Sequence, residues 1–450
     1  ALAMRLVRFF FPLVLLLPLN GLSQILFPGA KLINELIAFG IAIAIMGMFE
    51  VTPWHNIILR ASIMVVMVLS PFFLITISQA FWSAISVPHP QLAASLNVRT
   101  TARPRVLWLL FDEMDQRVAF SNRPANLELP ELDRLRSQSL YGINVYPPSD
   151  STLVSVPALI SGKLLSNAEL VSQSKLMITF GDTERPVSWN SEPNLFSEAR
   201  EAGFNTAFIG WYLPCCDILP ESLTSCAWID TEAATLRESM SKQIEGLMIT
   251  IPFIPALGNT YFDKEESNRN KAVKSHIGVL EAAKRVVVDS DVGLMLVYWQ
   301  VAHPPNIYRR DTDEFEVKGE SSYVDNLRLI DRTVGELRRV MEDSGTWENT
   351  YVLLTSDHWW RSSIWRSIGP WTSEDAATFK SESDHRVPFI LKLAGQKHPV
   401  TYDPVFNNVL SHDLILALLR SELSGPDSVV QWLDQHRSIG QSPYLFNSPN

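Results

Sequence analysis

With 450 residues, 46% of them hydrophobic, the chain exceeds one typical domain and can bury a large core. A net charge of −10 and the lack of a basic run argue against a nucleic-acid partner. Charge is unevenly spread: from Phe9 to Trp82 only Lys31, Glu35, Glu50 and Arg60 are charged, whereas charges are frequent from Arg99 onward.

The first elements in chain order are three apolar stretches, Phe9–Phe27, Leu32–Phe49 and Ala61–Trp82, each near the length of about 20 residues that crosses a bilayer. A signal peptide would be one shorter stretch ending in small residues, and a buried helical core domain is the plainer alternative. Arg5 and Arg8 precede the first stretch and Arg60 opens the third, so the positive-inside rule places the N-terminus in the cytoplasm. Three crossings then put everything after Trp82 outside it. The first residue is Ala rather than Met, so the expectation is a fragment or a processed product. The expected organisation is a transmembrane anchor over 1–85, a linker over 86–103 and a catalytic domain over 104–450.

From Arg105 the pattern alternates strand and helix. Arg105–Phe111, Tyr141–Tyr146, Asn205–Gly210, Val292–Trp299, Thr350–Thr355 and Val387–Leu393 read as strands. Pro130–Ser139, Leu153–Leu165, Asn194–Ala202, Lys264–Val288 and Tyr323–Asp343 read as helices. Strands separated by helices of this length predict an α/β fold, a mostly parallel sheet sandwiched by helices. In such sheets ligands bind beyond the carboxyl ends of the strands. Several strands end in residues suited to that task. Arg105–Phe111 runs into Asp112-Glu113, Tyr141–Tyr146 leads to a polar loop holding Thr152, Val292–Trp299 runs into His303-Pro304-Pro305, and Thr350–Thr355 runs into Ser356-Asp357-His358.

Thr152 stands where a loop gives way to a helix, whose N-terminus suits a phosphate or sulfate oxyanion. Its hydroxyl is either a plain N-cap or a nucleophile whose pKa a metal lowers. Asp112, Glu113 and Asp357 offer oxygen ligands and His358 a nitrogen, a set that fits zinc or manganese better than calcium or magnesium. His303 and His385 are expected to bind the anion or protonate the leaving oxygen, and Lys380 and Arg386 could add charge there. The three cysteines lie together, so Cys226 pairs with Cys216 or Cys215 in an exported domain, or the three belong to a zinc site.

The order D-E, T-x-x-S-x-P-A-L-x-x-G, H-P-P, T-S-D-H and D-H-R-V-P resembles the sulfatase-like branch of the alkaline phosphatase superfamily. Behind a multi-span anchor it is similar to the phosphoethanolamine transferases and lipoteichoic acid synthases. The resemblance implies an alkaline phosphatase-like catalytic domain on the outer side of a bacterial inner membrane. It implies one divalent metal held by Asp112 or Glu113, Thr152, Asp357 and His358, with His303 and His385 on the substrate phosphate. It also implies a phospholipid donor and a glycan or lipid acceptor, with a phosphate or sulfate ester hydrolase as the alternative. Relatives with Pro-x-Cys here pair that cysteine with a later one, which favours Cys216–Cys226. There are two departures. Trp359-Trp360 replace the glycine that usually follows the late Asp-His, the one feature consistent with a catalytically inactive, anion-binding relative. The nucleophile block Thr152-Leu153-Val154-Ser155-Val156 lacks the Cys or Ser and the arginine of a true sulfatase.

Overall fold

The computed structural model describes residues 91–97, 104–229 without 182 and 184, 264–437 without 370 and 380–383, and isolated positions between 60 and 78. The three apolar stretches therefore fall almost wholly outside the described residues, among which no helix is long and apolar enough to cross a membrane. Of the two compact units into which the chain divides, the larger comprises 90–231 and 265–450.

Its centre is an eight-stranded sheet. In chain order the strands are β1 (Arg105–Asp112), β2 (Leu140–Gly142), β3 (Asn205–Gly210), β4 (Ser225–Trp228), β5 (Val292–Ala302), β6 (Thr350–Ser356), β7 (Phe389–Lys392) and β8 (Val400–Tyr402). Their spatial order is β8-β2-β7-β6-β1-β5-β3-β4. Strands β6, β1, β5, β3 and β4 pair in parallel, as do β8 and β2, while β7 runs antiparallel to both its neighbours. All eight residues of β1 are buried, as a central strand covered on both faces requires. Its side chains alternate between two cores: Val106, Trp108 and Leu110 enter one, Leu107, Leu109 and Phe111 the other. The expected mostly parallel α/β architecture is present.

Four helices matter for the site: α1 (Thr152–Ser161), α2 (Lys264–Val287), α3 (Tyr323–Asp343) and α4 (Ser362–Ile368). Residues of α1 pack in the first core, and α2 and α3 in the second. A capping box between Ser322 and Asp325 starts α3, and Ser155 Oγ donates to the Asp357 carbonyl at 2.5 Å, pinning α1 to the loop after β6.

Several expected boundaries moved. Tyr141–Tyr146 is two short strands, because Val145–Tyr146 leaves the main sheet to pair with Phe406–Asn407. The helix expected over Leu153–Leu165 stops at Ser161, where Gly162 adopts φ 66°. Leu165 then opens a three-stranded antiparallel sheet that the sequence reading did not foresee. Cys216 and Cys226 are disulfide-bonded across ten residues, and Cys215 is a buried free thiol.

Candidate active site

The topology delivers the expected residues to one edge of the sheet. Parallel strands β1, β5 and β6 end there with Asp112, His303 and Asp357-His358 just beyond. Because β7 is antiparallel, its entry segment with His385 reaches the same edge.

At the centre lie Asp112, Thr152, Asp357 and His358, all essentially buried. Thr152 Oγ1 is 3.0 Å from His358 Nε2, which lies 3.4 Å from Asp112 Oδ1 and 3.5 Å from Asp357 Oδ2. His358 Nδ1 faces the Trp359 carbonyl at 3.0 Å. A carbonyl only accepts, so Nδ1 carries a proton and Nε2 is the ring atom turned to the two carboxylates and Thr152, as a metal ligand would be. Asp112 Oδ1 is buried with no hydrogen-bond partner among the described residues. Burial, then Asp357 and Glu113, holds the Asp112 carboxyl well above the usual carboxylate range. Ligand atoms of Asp112, Asp357 and His358 lie within 4.8 Å of one another. The orphaned oxygen, the Nδ1–H tautomer and the unbalanced carboxylates fit a divalent metal, and the mixed O and N donors suit zinc or manganese.

The remaining bonds of Asp357 fix its orientation. Its Oδ1 accepts from the His358 amide at 2.8 Å and the Glu113 amide at 3.3 Å, and its Oδ2 from Tyr298 Oη at 3.1 Å. Thr152 is the first residue of α1, and Ser151 rather than Thr152 occupies the N-cap position. The Thr152 hydroxyl is thus spent on His358 rather than on the helix, and the Thr152 and Leu153 amides lack intrahelical partners.

Glu113 departs from the expectation. It sits at φ 58°, in the left-handed region. Arg361 Nε donates to its Oε1 at 2.6 Å and Trp365 Nε1 to its Oε2 at 2.7 Å. Its two oxygens bond Arg361 and Trp365, and it lies outside the cluster of ligand atoms formed by Asp112, Asp357 and His358. The left-handed turn is itself secured: the Met114 amide donates to Ser356 Oγ and Tyr323 Oη to the Glu113 carbonyl.

His303 is partly buried between Trp211 and Trp365, with ring centroids at 6.1 and 4.8 Å, and its amide donates to the Asp112 carbonyl. Its Nδ1 bonds the Pro304 carbonyl, so Nε2 is again the accepting nitrogen. Burial lowers its pKa to about 4. His385 stacks on Trp359 at 4.1 Å. Trp360 is sandwiched between Tyr323 and Trp371 in the core, so of the Trp pair only Trp359 faces a candidate site histidine. Arg386 is bonded to Asp384, Asn144 and the Ile143 carbonyl and does not serve the anion as expected, and Lys380 lies outside the described residues.

Sequence reasoning missed Arg361, Trp365 and Tyr298. Arg361 had a signal, a cation three residues after His358. Tyr298 and Trp365 had none, being one aromatic within an apolar strand and one within a short helix.

Comparisons with known proteins bear on this site. Residues 279–420, which hold His303, Asp357, His358 and His385 but neither Asp112 nor Thr152, match the Sulfatase family model. No curated protein matches the chain significantly. Similar solved structures include an alkaline phosphatase superfamily protein from Vibrio parahaemolyticus, 15% identical over 74% of this chain and 70% of that one, with a TM-score of 0.45. The PsFucS1 sulfatase from Pseudoalteromonas sp. is 17% identical over 72% and 69%, with a TM-score of 0.47. The phosphonate monoester hydrolase of Agrobacterium radiobacter is 13% identical over 71% and 74%, with a TM-score of 0.43. Likeness of this degree transfers no activity. With the family match on residues 279–420, the chain is an enzyme of the ester-hydrolase and phosphotransferase kind.

Proposed function

We propose that this chain cleaves or transfers a phosphate ester through Thr152, in a site that holds one divalent metal by Asp112, Thr152, Asp357 and His358. The observation that carries this reading is the 3.0 Å approach of Thr152 Oγ1 to His358 Nε2 beside two buried carboxylates. The metal supplies the positive charge that favours the ionised form of the threonine hydroxyl. Thr152 Oγ1 forms a bond to phosphorus as the bond to the leaving oxygen breaks. Thr152 loses its proton and the leaving oxygen gains one. A second hydroxyl then attacks phosphorus, the bond from phosphorus to Thr152 Oγ1 breaks and Oγ1 takes a proton back; His303 Nε2 accepts the proton of the incoming hydroxyl and returns one to the site. The amides opening α1 face the anion at the nucleophile.

The incoming hydroxyl distinguishes two readings. A transferase would take a phosphoryl-linked head group from a phospholipid and give it to a glycan or lipid, which the apolar stretches before residue 85 support. A hydrolase would use water, and the Sulfatase match favours it. Threonine in place of Cys or Ser at the nucleophile speaks for phosphate over sulfate. Turnover of a soluble nitrophenyl phosphodiester without added acceptor would settle for hydrolysis. Turnover that requires a lipid donor and a sugar hydroxyl would settle for transfer. A phosphorylated Thr152 peptide, trapped by rapid acid quench and read by mass spectrometry, is expected in both cases, and its absence in an active preparation would sink the nucleophile assignment. A catalytic domain outside the cytoplasm of a bacterial inner membrane accords with the Cys216–Cys226 bond. Alkylation without reduction of protein from native membranes should then modify one thiol, Cys215, once the protein is denatured.

A further inference from the structure

Proteins that bind tetrahedral anions usually set a guanidinium beside them, because its planar fork matches two oxygens. The nucleophile block here has no arginine, and Arg386 is committed to Asp384. Arg361 occupies the mouth of the site instead. It precedes α4, its Nη1 donates to the Asp150 carbonyl two residues before Thr152, and its Nε is held by Glu113. Its Nη2 makes no hydrogen bond among the described residues, and the side chain is 23% accessible. Glu113, by contrast, is fully buried and has both oxygens bonded. The charge of Arg361 is felt by Asp112, Glu113, Tyr212 and His303.

Resting on the reading above, we propose that Arg361 binds the non-bridging oxygens of the substrate phosphate through its free Nη2 edge, and that Glu113 is the positioning residue that aims it. Nε and Nη1 are spent on the protein, and Nη2 is the donor left for the ligand. Lysine, a point charge on a flexible stem, cannot divide its donors in this way. The Glu113 charge also balances Arg361, so the pair offers directed donors without a surplus cation to compete with the metal.

The test uses the full chain loaded with zinc and measures zinc content, affinity for inorganic phosphate by calorimetry, and phosphodiester kinetics. Arg361→Ala should retain zinc and lose phosphate affinity about ten- to hundred-fold, with a matching rise in KM. Arg361→Lys, which preserves charge and guards against misfolding of the alanine variant, should recover only part of that loss. Glu113→Gln should weaken phosphate binding less than Arg361→Ala does. Unchanged phosphate affinity in Arg361→Ala or Arg361→Lys overturns the proposal, as does loss of zinc together with phosphate, which would make Arg361 a support of the metal group. A wild-type protein that takes up neither zinc nor phosphate would instead sink the proposed function, a result read without any variant.

Discussion

Two regions of this molecule bury acidic groups, and they handle the charge in opposite ways. On one side, Asp325 at the start of α3 and Glu374 on a following helix share Arg310. Its Nη1 donates to Asp325 Oδ1 at 2.7 Å and to Glu374 Oε2 at 2.8 Å, and the single Ser322 hydroxyl lies within hydrogen-bond distance of both carboxylates. Arg310 holds the Glu374 carboxyl below its ordinary range. At the strand ends, Asp112 and Asp357 face a histidine nitrogen, the Arg361 guanidinium whose charge reaches them is bonded to Glu113 instead, and Asp112 is held well above the carboxylate range. The first region is complete as folded, whereas the second is complete only with a cation bound. A network that closes its own charges stabilises a fold, and one that leaves them open marks a ligand site.

The largest effect expected from this contrast is on catalysis. Thr152→Ala should lower kcat/KM roughly 10⁴-fold or more while zinc content falls little, since three ligands remain. The next outcome separates the two regions directly. Asp112→Asn removes one of two facing like charges, so metal-free protein should melt higher than wild type and no longer rise when zinc is added. A variant that melts lower without metal and still rises with zinc would break the comparison.

Much of this contrast was legible in the sequence, and its limits are physical. Strand ends carrying Asp112, Asp357 and His358 could be read because buried parallel strands are apolar runs with sharp polar ends, and β3 and α3 matched their expected bounds. Glu113 could not be resolved from Asp112, since adjacent positions differ only in the backbone turn that φ 58° imposes. The antiparallel sheet from Leu165 to Ser188 was missed because Leu165–Ser172 is largely exposed and polar, and the apolar run in Lys175–Phe180 is only Leu176-Met177-Ile178. The Asp325–Arg310–Glu374 network joins residues 15 and 64 positions apart, a spacing with no local signature.

A third way to bury an ionisable group is to keep it neutral, and His276 on α2 does so. Thr333 Oγ1 donates to the Leu329 carbonyl, so His276 Nε2 donates to Thr333 Oγ1, and its buried Nδ1 has no partner among the described residues. Burial pushes its pKa down to about 3. Between that value and about 6.5 the unfolded chain binds a proton that the folded chain does not. Stability should therefore be level above pH ~6.5 and fall as pH drops from there toward 3. Asp331, pushed up to about 6, acts with the opposite sign, so the readout is a difference. Melting temperature against pH for wild type minus His276→Gln should slope upward between pH ~4 and ~6.5, and parallel curves would remove His276 as a source of acid sensitivity.

The smallest effect tests the closed region. Arg310→Met keeps the aliphatic stem and leaves Asp325 and Glu374 facing each other without a cation, turning the closed network into a small copy of the open one. Both partners retain some solvent, Glu374 with 30% of its side chain accessible, so the loss should be about 1–2 kcal/mol rather than the value for a fully buried pair. Adding Glu374→Gln should recover part of it by removing one of the two facing charges. Zinc should rescue neither variant, because Arg310 left the pair without the imidazole that makes Asp112, Asp357 and His358 a metal group. Chemical denaturation of the four combinations with and without zinc gives all the terms. If Arg310→Met costs nothing, or zinc restores it, the distinction between a network that closes its charges and one that awaits a ligand does not hold in this protein.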